Sequence, residues 1–455
     1  MALESDHNSP SAVSITKSIY VYPKAFPEPN KILTLSNLDR QCPTLMYLVF
    51  FYEHSDQDSS FDSVFDRLKA GLEATLSICY PAAGRLSLSS PDHDNGKLDL
   101  SCNNAGAVLV QAVTQAKISE LGDISVYNEF FENLVFKPVI SDENITEMPL
   151  VTAQVTRFDC GGYAIGTGTS HSLFDGISAY EFLRAWGSQC EMYEPVHERG
   201  TLLLQKNDHY INEGITNNYS SIPTAIGHLY QLIMQTYSSR PFQNQETSLV
   251  FKTFHLSTEM IDNLKKNVLD EKLNDNFSCS TFEVLAAHLW KVRTKALGLE
   301  RDRKVCLQFA VDARNRMVPP LPKGFSGNAY VLASVFSTAG ELEEQSHEST
   351  INQIKEAKNS VTHDYVHAYI KALQGPPATL PPLLELTVIS DWTRVPFHKI
   401  DFICQDAATY VSPLIPPVPQ IAYFMQNPNE SRAIDVWIGL LPSIQAAFSD
   451  HFMNI

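Results

Sequence analysis

Positive charge is scarce in this chain. It carries 34 Lys and Arg against 51 Asp and Glu, a net charge of −17. That balance argues against nucleic acid or an anionic membrane surface as the main partner. An anionic small molecule would need a local basic patch. Cysteine is scarce too. There are eight, from Cys42 to Cys404, with no Cys-x-x-Cys and no His/Cys cluster at zinc spacing. Reduced, mostly buried thiols of a cytosolic protein are the reading, rather than a disulfide framework or a zinc site. No apolar run is long enough to span a bilayer. Met1 to His7 is acidic and polar, without the cationic stretch and apolar core of a signal peptide. A cytoplasmic protein without a membrane span is therefore expected. No short repeat is visible.

What the chain has is apolar volume. Its 455 residues are 44% hydrophobic and 19% charged, enough for two cores and too long for one simple one. Strand and helix signals alternate in both halves, which predicts an α/β protein with mixed sheets. Ile15 to Tyr22 reads as an opening strand, and Leu45 to Tyr52 as a buried one rich in aromatics. Phe61 to Ile78 has helical spacing, with Leu68, Leu72, Leu76 and Cys79 on one apolar stripe. Residues 196–246 are rich in Asn, Gln, Ser and Tyr and read as a crossover. This divides the chain into an N-terminal domain over 1–195 and a C-terminal domain over 247–455. In the second half Leu249 to Leu256 and Val305 to Val311 read as strands. Ser280 caps a helix that begins near Thr281. Residues 319–328, with three prolines and two glycines, read as a rigid loop.

One stretch stands out for chemistry: Gly166-Thr167-Gly168-Thr169-Ser170-His171-Ser172-Leu173-Phe174-Asp175-Gly176. It follows the apolar Tyr163-Ala164-Ile165, read as the end of a strand. It precedes Ile177 to Trp186, read as a helix with Ile177, Tyr180, Leu183 and Trp186 along one side. His171 is thus expected in a tight connection between rigid elements, where catalytic groups are often displayed. The spacing alone is weak, since His54 and Asp58 share it. The context of small residues before His171 and a glycine after Asp175 is what distinguishes it. A histidine titrates near neutral pH and can take a proton from an alcohol or amine.

These residues resemble the His-x-x-x-Asp-Gly signature of the plant BAHD acyltransferases. Nonribosomal condensation domains carry a related signature with two adjacent His, and here Ser170 takes the first place. Leu35 to Asp39, Tyr80-Pro81-Ala82-Ala83-Gly84-Arg85 and Ser390-Asp391-Trp392 also look like that family. The likeness runs from Tyr20 to Leu440. It implies two pseudo-symmetric chloramphenicol-acetyltransferase-like domains, each a mixed sheet flanked by helices, with an active-site channel between them. It implies a monomer that uses acyl-CoA as cosubstrate, holds no bound cofactor or metal, and acts on a small-molecule acyl acceptor. His171 would be the general base, without an acyl-enzyme. Asp175 would be structural and paired with Arg314, and Gly176 would allow close backbone approach. Ser280, Thr281 and Arg314 would serve coenzyme A. Ser36, Ser390 and Trp392 would serve the acceptor.

The chain also departs from the family. The second signature, Asp-Phe-Gly-Trp-Gly, is here Asp401-Phe402-Ile403-Cys404-Gln405. Some relatives with decayed signatures are accessory proteins. A BAHD-shaped accessory protein of lipid synthesis, or a repurposed lyase, is thus the alternative to an acyltransferase of plant specialised metabolism. The 401–405 stretch itself is expected to be scaffold, with Phe402 and Ile403 as packing residues and Asp401 holding Arg394. No Lys or Arg lies between Ala372 and Asp391. Shikimate-type members of that family place an Arg in this region to grip a carboxylate, so the resemblance argues against shikimate or quinate as acceptor and for an uncharged or amphipathic alcohol or amine.

Overall fold

The computed structural model describes residues 12–25, 30–53, 60–88, 97–139, 142–189, 193–203, 249–270, 277–373, 383–403, 407–414 and 421–455. The crossover expected over 196–246 lies outside them from residue 204 on. In chain order the strands are β1 (Val13–Val21), β2 (Lys31–Leu33), β3 (Leu45–Tyr52), β4 (Arg85–Leu88), β5 (Leu98–Cys102), β6 (Ala107–Thr114), β7 (Val151–Arg157) and β8 (Tyr163–Ser170). They continue as β9 (Val250–Leu256), β10 (Lys304–Asp312), β11 (Tyr330–Thr338), β12 (Leu386–Asp391), β13 (Tyr410–Pro413), β14 (Ile421–Gln426) and β15 (Ile434–Leu440).

Contacts divide the chain into two compact units. One takes Met1–Gly200, Pro322–Asn328 and Pro396–Pro416; the other takes Thr201–Leu321, Ala329–Val395 and Pro417–Ile455. Two short stretches of the C-terminal half are therefore built into the first unit. Each unit contains a six-stranded mixed sheet, in order β1-β6-β7-β8-β3-β13 and β11-β10-β12-β14-β15-β9. The first is antiparallel except for β6 beside β7. The second has β10, β12 and β14 parallel. A small sheet, β2-β5-β4, completes the first unit.

In the first unit β3 is an unbroken apolar run because both its faces are covered. Val49, Phe50 and Phe51 are fully buried. Helix α1 (Phe61–Ile78) starts where Ser60 Oγ accepts the Ser63 N–H at 3.2 Å. Its Leu68, Leu72 and Leu76 are buried, as the stripe predicts. Against it lies α2 (Gly176–Gly187), whose Trp186 indole donates to the Leu68 carbonyl at 2.8 Å. Gly71 makes that approach possible, since a Cβ there would stand 2.8 Å from the Trp186 carbonyl oxygen. The buried face of α2 is Ala179, Phe182, Leu183, Ala185 and Trp186. Leu183 and Trp186 are buried as predicted, whereas Ile177, expected on the same side, is 38% exposed.

The 401–403 stretch belongs to this unit. Phe402 is fully buried, with its ring 5.1 Å from Phe50 and 4.9 Å from Trp186. Tyr52 Oη donates to the Ile400 carbonyl at 2.6 Å, and Arg67 reaches the carbonyls of Gly187 and Phe402 at 3.1 and 3.3 Å. Asp401 Oδ1 accepts the Ile403 N–H at 3.0 Å. Cys404 and Gln405 lie outside the described residues.

In the second unit α3 (Thr281–Leu297) begins with a reciprocal cap. Ser280 Oγ accepts from Glu283 N, and the Glu283 carboxylate accepts from Ser280 N. It ends at Gly298, whose φ of 59° is the left-handed turn that glycine adopts cheaply. Trp290 and Leu289 on its inner face are fully buried.

Candidate active site

The stretch before His171 is strand, not connection. β8 continues through Gly166, Thr167, Gly168, Thr169 and Ser170, paired with β3 on one side and β7 on the other. The glycines are there for space. A Cβ on Gly166 would come 2.0 Å from the Leu134 carbonyl oxygen, and one on Gly168 would come 2.5 Å from Thr152 Oγ1 and 2.7 Å from the Tyr47 ring. His171 is the first residue past the strand. Its N–H donates to the Thr44 carbonyl at 2.8 Å, which ties it to the start of β3. Leu173 and Phe174 then turn back onto the Ser170 carbonyl, at 3.0 Å each.

Asp175 caps α2. Its Oδ1 accepts from Ser178 N at 3.0 Å and from Ser178 Oγ at 2.8 Å, while its own N–H donates to Ser178 Oγ at 3.0 Å. Gly176 is the first residue of the helix. The second and third parts of the signature thus build the turn that carries the first.

Behind the imidazole lies a set of buried polar groups that sequence reasoning had not joined. His171 Nδ1 is 3.0 Å from Asn328 Oδ1. Asn328 Nδ2 donates to the His171 carbonyl at 2.6 Å and to Asp39 Oδ1 at 3.1 Å. Both of those partners only accept, so the amide cannot turn around. Its oxygen must face the ring, and an oxygen can only accept. Nδ1 therefore carries the proton of the neutral imidazole, and the ring lone pair is on Nε2. Enclosure by its surroundings pushes the His171 pKa below the ordinary histidine value; its hydrogen bonds and the nearby carboxylates of Asp175 and Asp39 offset part of that. A neutral imidazole with its lone pair on Nε2 is a form in which a histidine can accept a proton.

The other expected residues fall in different places. Ser36 is 1% exposed, and its N–H and Oγ both donate to Asp39 Oδ2, at 2.9 and 2.7 Å. Its hydroxyl is thus committed to the network behind the base. In the second unit Ser390 and Trp392 do come together, with the indole N–H donating to Ser390 Oγ at 2.9 Å and the ring packed on Tyr423. Ser280 and Thr281 open α3 beside a lysine group: Lys355 donates to the Ser278 carbonyl at 3.3 Å, and Lys358 pairs with Glu283. Lys265 and Lys355 also act on Cys279, whose thiol burial pushes up and whose pKa those charges pull back. Arg314 pairs with Asp312 of its own unit at 3.1 Å.

Among the described residues no group of three His, Cys, Asp or Glu side chains is placed to hold a metal ion, and no helix is long and apolar enough to cross a membrane. Asn328 ends the loop read as rigid, and Asp39 closes the stretch from Leu35. No local pattern joins them.

Comparison with known proteins adds to this geometry. The family model described as "Transferase family" matches residues 11–455. The chain is 51% identical to brassinosteroid-related acyltransferase 1 of Arabidopsis thaliana, over 97% of this chain and 98% of that protein. Among solved structures it is similar to vinorine synthase, with a TM-score of 0.71 at 20% identity over 96% of each chain. It is also similar to TRI101 of F. sporotrichioides complexed with coenzyme A and T-2. There the TM-score is 0.73 at 15% identity, over 92% of this chain and 97% of that one. These likenesses match the two-sheet α/β architecture expected from the sequence.

Proposed function

The chain belongs to the BAHD acyltransferases of the transferase family, and we propose that it moves an acyl group from acyl-CoA to an uncharged alcohol or amine with His171 as general base. The observation that carries the reading is the hydrogen-bond logic at Asn328, which leaves His171 Nε2 as a proton acceptor. Nε2 takes the proton of the acceptor O–H or N–H as that atom attacks the thioester carbonyl. The tetrahedral intermediate collapses with loss of the coenzyme A thiolate, which takes the proton back from the imidazolium. No acyl-enzyme forms.

Coenzyme A is an anion, and this chain is acidic. The lysines beside the Ser280 and Thr281 helix start support that end of α3 as its site, with Arg314 as a further cation. Ser390 and Trp392 are proposed to line the acceptor site. The lack of Lys and Arg between Ala372 and Asp391 supports an acceptor without a carboxylate. The relative at 51% identity carries the name of a brassinosteroid-related acyltransferase, which supports a steroid alcohol as the first acceptor to test. Ser36 is proposed to act through Asp39 rather than on substrate. A cytoplasmic monomer remains the proposed state.

The test is to incubate purified protein with short, long and aromatic acyl-CoAs and a brassinosteroid panel, following thiol release and new acylated masses. Turnover that falls about 10²–10⁴-fold in His171→Ala, with unchanged melting, is expected. Turnover equal to wild type in that variant removes His171 as the base. Absence of thiol release with every donor revives the accessory-protein alternative.

A further inference from the structure

The Asp39 carboxylate is completely buried, and so, at 1% exposure, is the Arg199 side chain beside it. Arg199 Nε donates to Asp39 Oδ2 at 2.7 Å. Burying both charges is costly unless their remaining hydrogen-bonding capacity is used. Half of the hydrogen bonds they make beyond the pair go to one short segment; the others go to Ser36 and the His197 carbonyl, and Arg199 Nη2 has no partner among the described residues. Arg199 Nη1 donates to the carbonyls of His197 and Ser326, at 2.5 and 2.7 Å. Asp39 Oδ1 accepts both the backbone N–H of Asn328, at 3.0 Å, and its amide, at 3.1 Å. Between them Gly327 has no side chain, and a Cβ there would stand 2.7 Å from the guanidinium carbon. The ion pair therefore grips residues 326–328 from two sides and delivers Asn328 to the histidine.

The donor and acceptor types make the grip directional. An ionised carboxylate offers acceptors only, so it selects the NH₂ end of the Asn328 amide. The oxygen is left for His171 Nδ1, and the proton of the imidazole is held on that nitrogen. Remove the carboxylate's preference and only the His171 carbonyl still selects the NH₂ end; wherever the amide turns and presents NH₂ to the ring, the proton belongs on Nε2 and Nδ1 takes the lone pair.

We infer that Asp39 and Arg199 are positioning residues for the base: their buried pair, acting through Asn328, selects the imidazole tautomer that can accept a proton. The inference rests on His171 being the base, but its first readout does not. Full-length protein labelled with ¹⁵N-histidine reports the protonation of each ring nitrogen, and the His171 signals are those missing in His171→Gln. Wild type should show Nδ1 protonated and Nε2 bare. In Asn328→Ala, and in the double variant Asp39→Asn with Arg199→Gln, which removes both charges together, the signals should move toward the Nε2–H form. In both, kcat should fall by about 10²-fold, with KM for acyl-CoA within twofold of wild type. If the double variant does not fold, Asn328→Ala carries the test, since it leaves the ion pair in place.

An unchanged tautomer in the folded variants overturns the inference, whatever happens to activity. So does a wild type with the proton on Nε2. A shifted tautomer with kcat unchanged leaves the relay standing and sinks the assignment of His171 as base, so the two failures are told apart.

Discussion

His171 is enclosed, yet as the proposed base it would have to change its charge in every cycle. Its depressed pKa means the imidazole is neutral at pH values where a free histidine, near 6.5, is half protonated. The acid limb of a kcat/KM profile should thus fall below about pH 6.5, with a plateau through neutrality. A limb above that value would contradict the enclosed, neutral ring. His197 tests the same physics without catalysis. It is buried edge-on to Tyr80, 5.1 Å between rings, and its pKa is lowered to about 4 by burial first and then by the charge of Arg199. Folded protein leaves it neutral down to about pH 4, while unfolded chain binds a proton from about pH 6.5. Stability is therefore highest above the unfolded value and is lost as pH falls through the window between them, by roughly 3 kcal/mol in all. Urea titrations at pH 7 and pH 4.5 read that slope, and His197→Phe should flatten it. An equal slope in the variant would remove His197 as its source.

At the scale of elements the glycines of β8 give the sharpest expectation. Gly166→Ala places a methyl 2.0 Å from the backbone oxygen of Leu134, an atom that cannot rotate away. Overpacking of this kind costs about 1–3 kcal/mol or more, and the melting temperature should drop; unchanged melting would mean that residues 129–134 yield freely. Phe402 is the opposite case. Its ring fills the space between Phe50 and Trp186, and Phe402→Ala should cost about 3–5 kcal/mol while leaving the acceptor KM of the folded fraction unmoved. A shifted KM with normal melting would make the stretch part of the site. These two elements also mark what could be read beforehand. Leu45 to Tyr52 and Phe61 to Ile78 are found at the residues predicted, because an unbroken aromatic run and a three-to-four spacing each have one structural solution. Gly166 and Gly168 misled because glycine in sequence signals a turn, whereas here it answers a neighbour's backbone that only the fold brings near. The signature around His171 was legible for a similar local reason. Asp39, Arg199 and Asn328 were not, since residues 160 and 289 apart in the chain meet only through tertiary packing.

The whole molecule is an acid that is proposed to bind another acid. Recognition of acyl-CoA by a protein of net charge −17 would rest on local lysines working against the overall field. Salt screens attraction to the exposed patch over a Debye length of about 8 Å at physiological ionic strength. KM for acyl-CoA should consequently rise with added salt, while KM for an uncharged acceptor stays level; parallel changes in both would argue against a charged coenzyme site. Chain connectivity sets a further limit. Residues 322–328 and 396–416 are sewn into the first unit, where they supply Asn328, Phe402 and the strand β13 that covers the edge of β3. Cutting the gene within the crossover would therefore not release a working N-terminal half. Such a fragment would expose the aromatic backbone edge of β3, a template for aggregation, and its histidine would lack the amide that orients it. The two halves would recover function only if expressed together and allowed to fold as one.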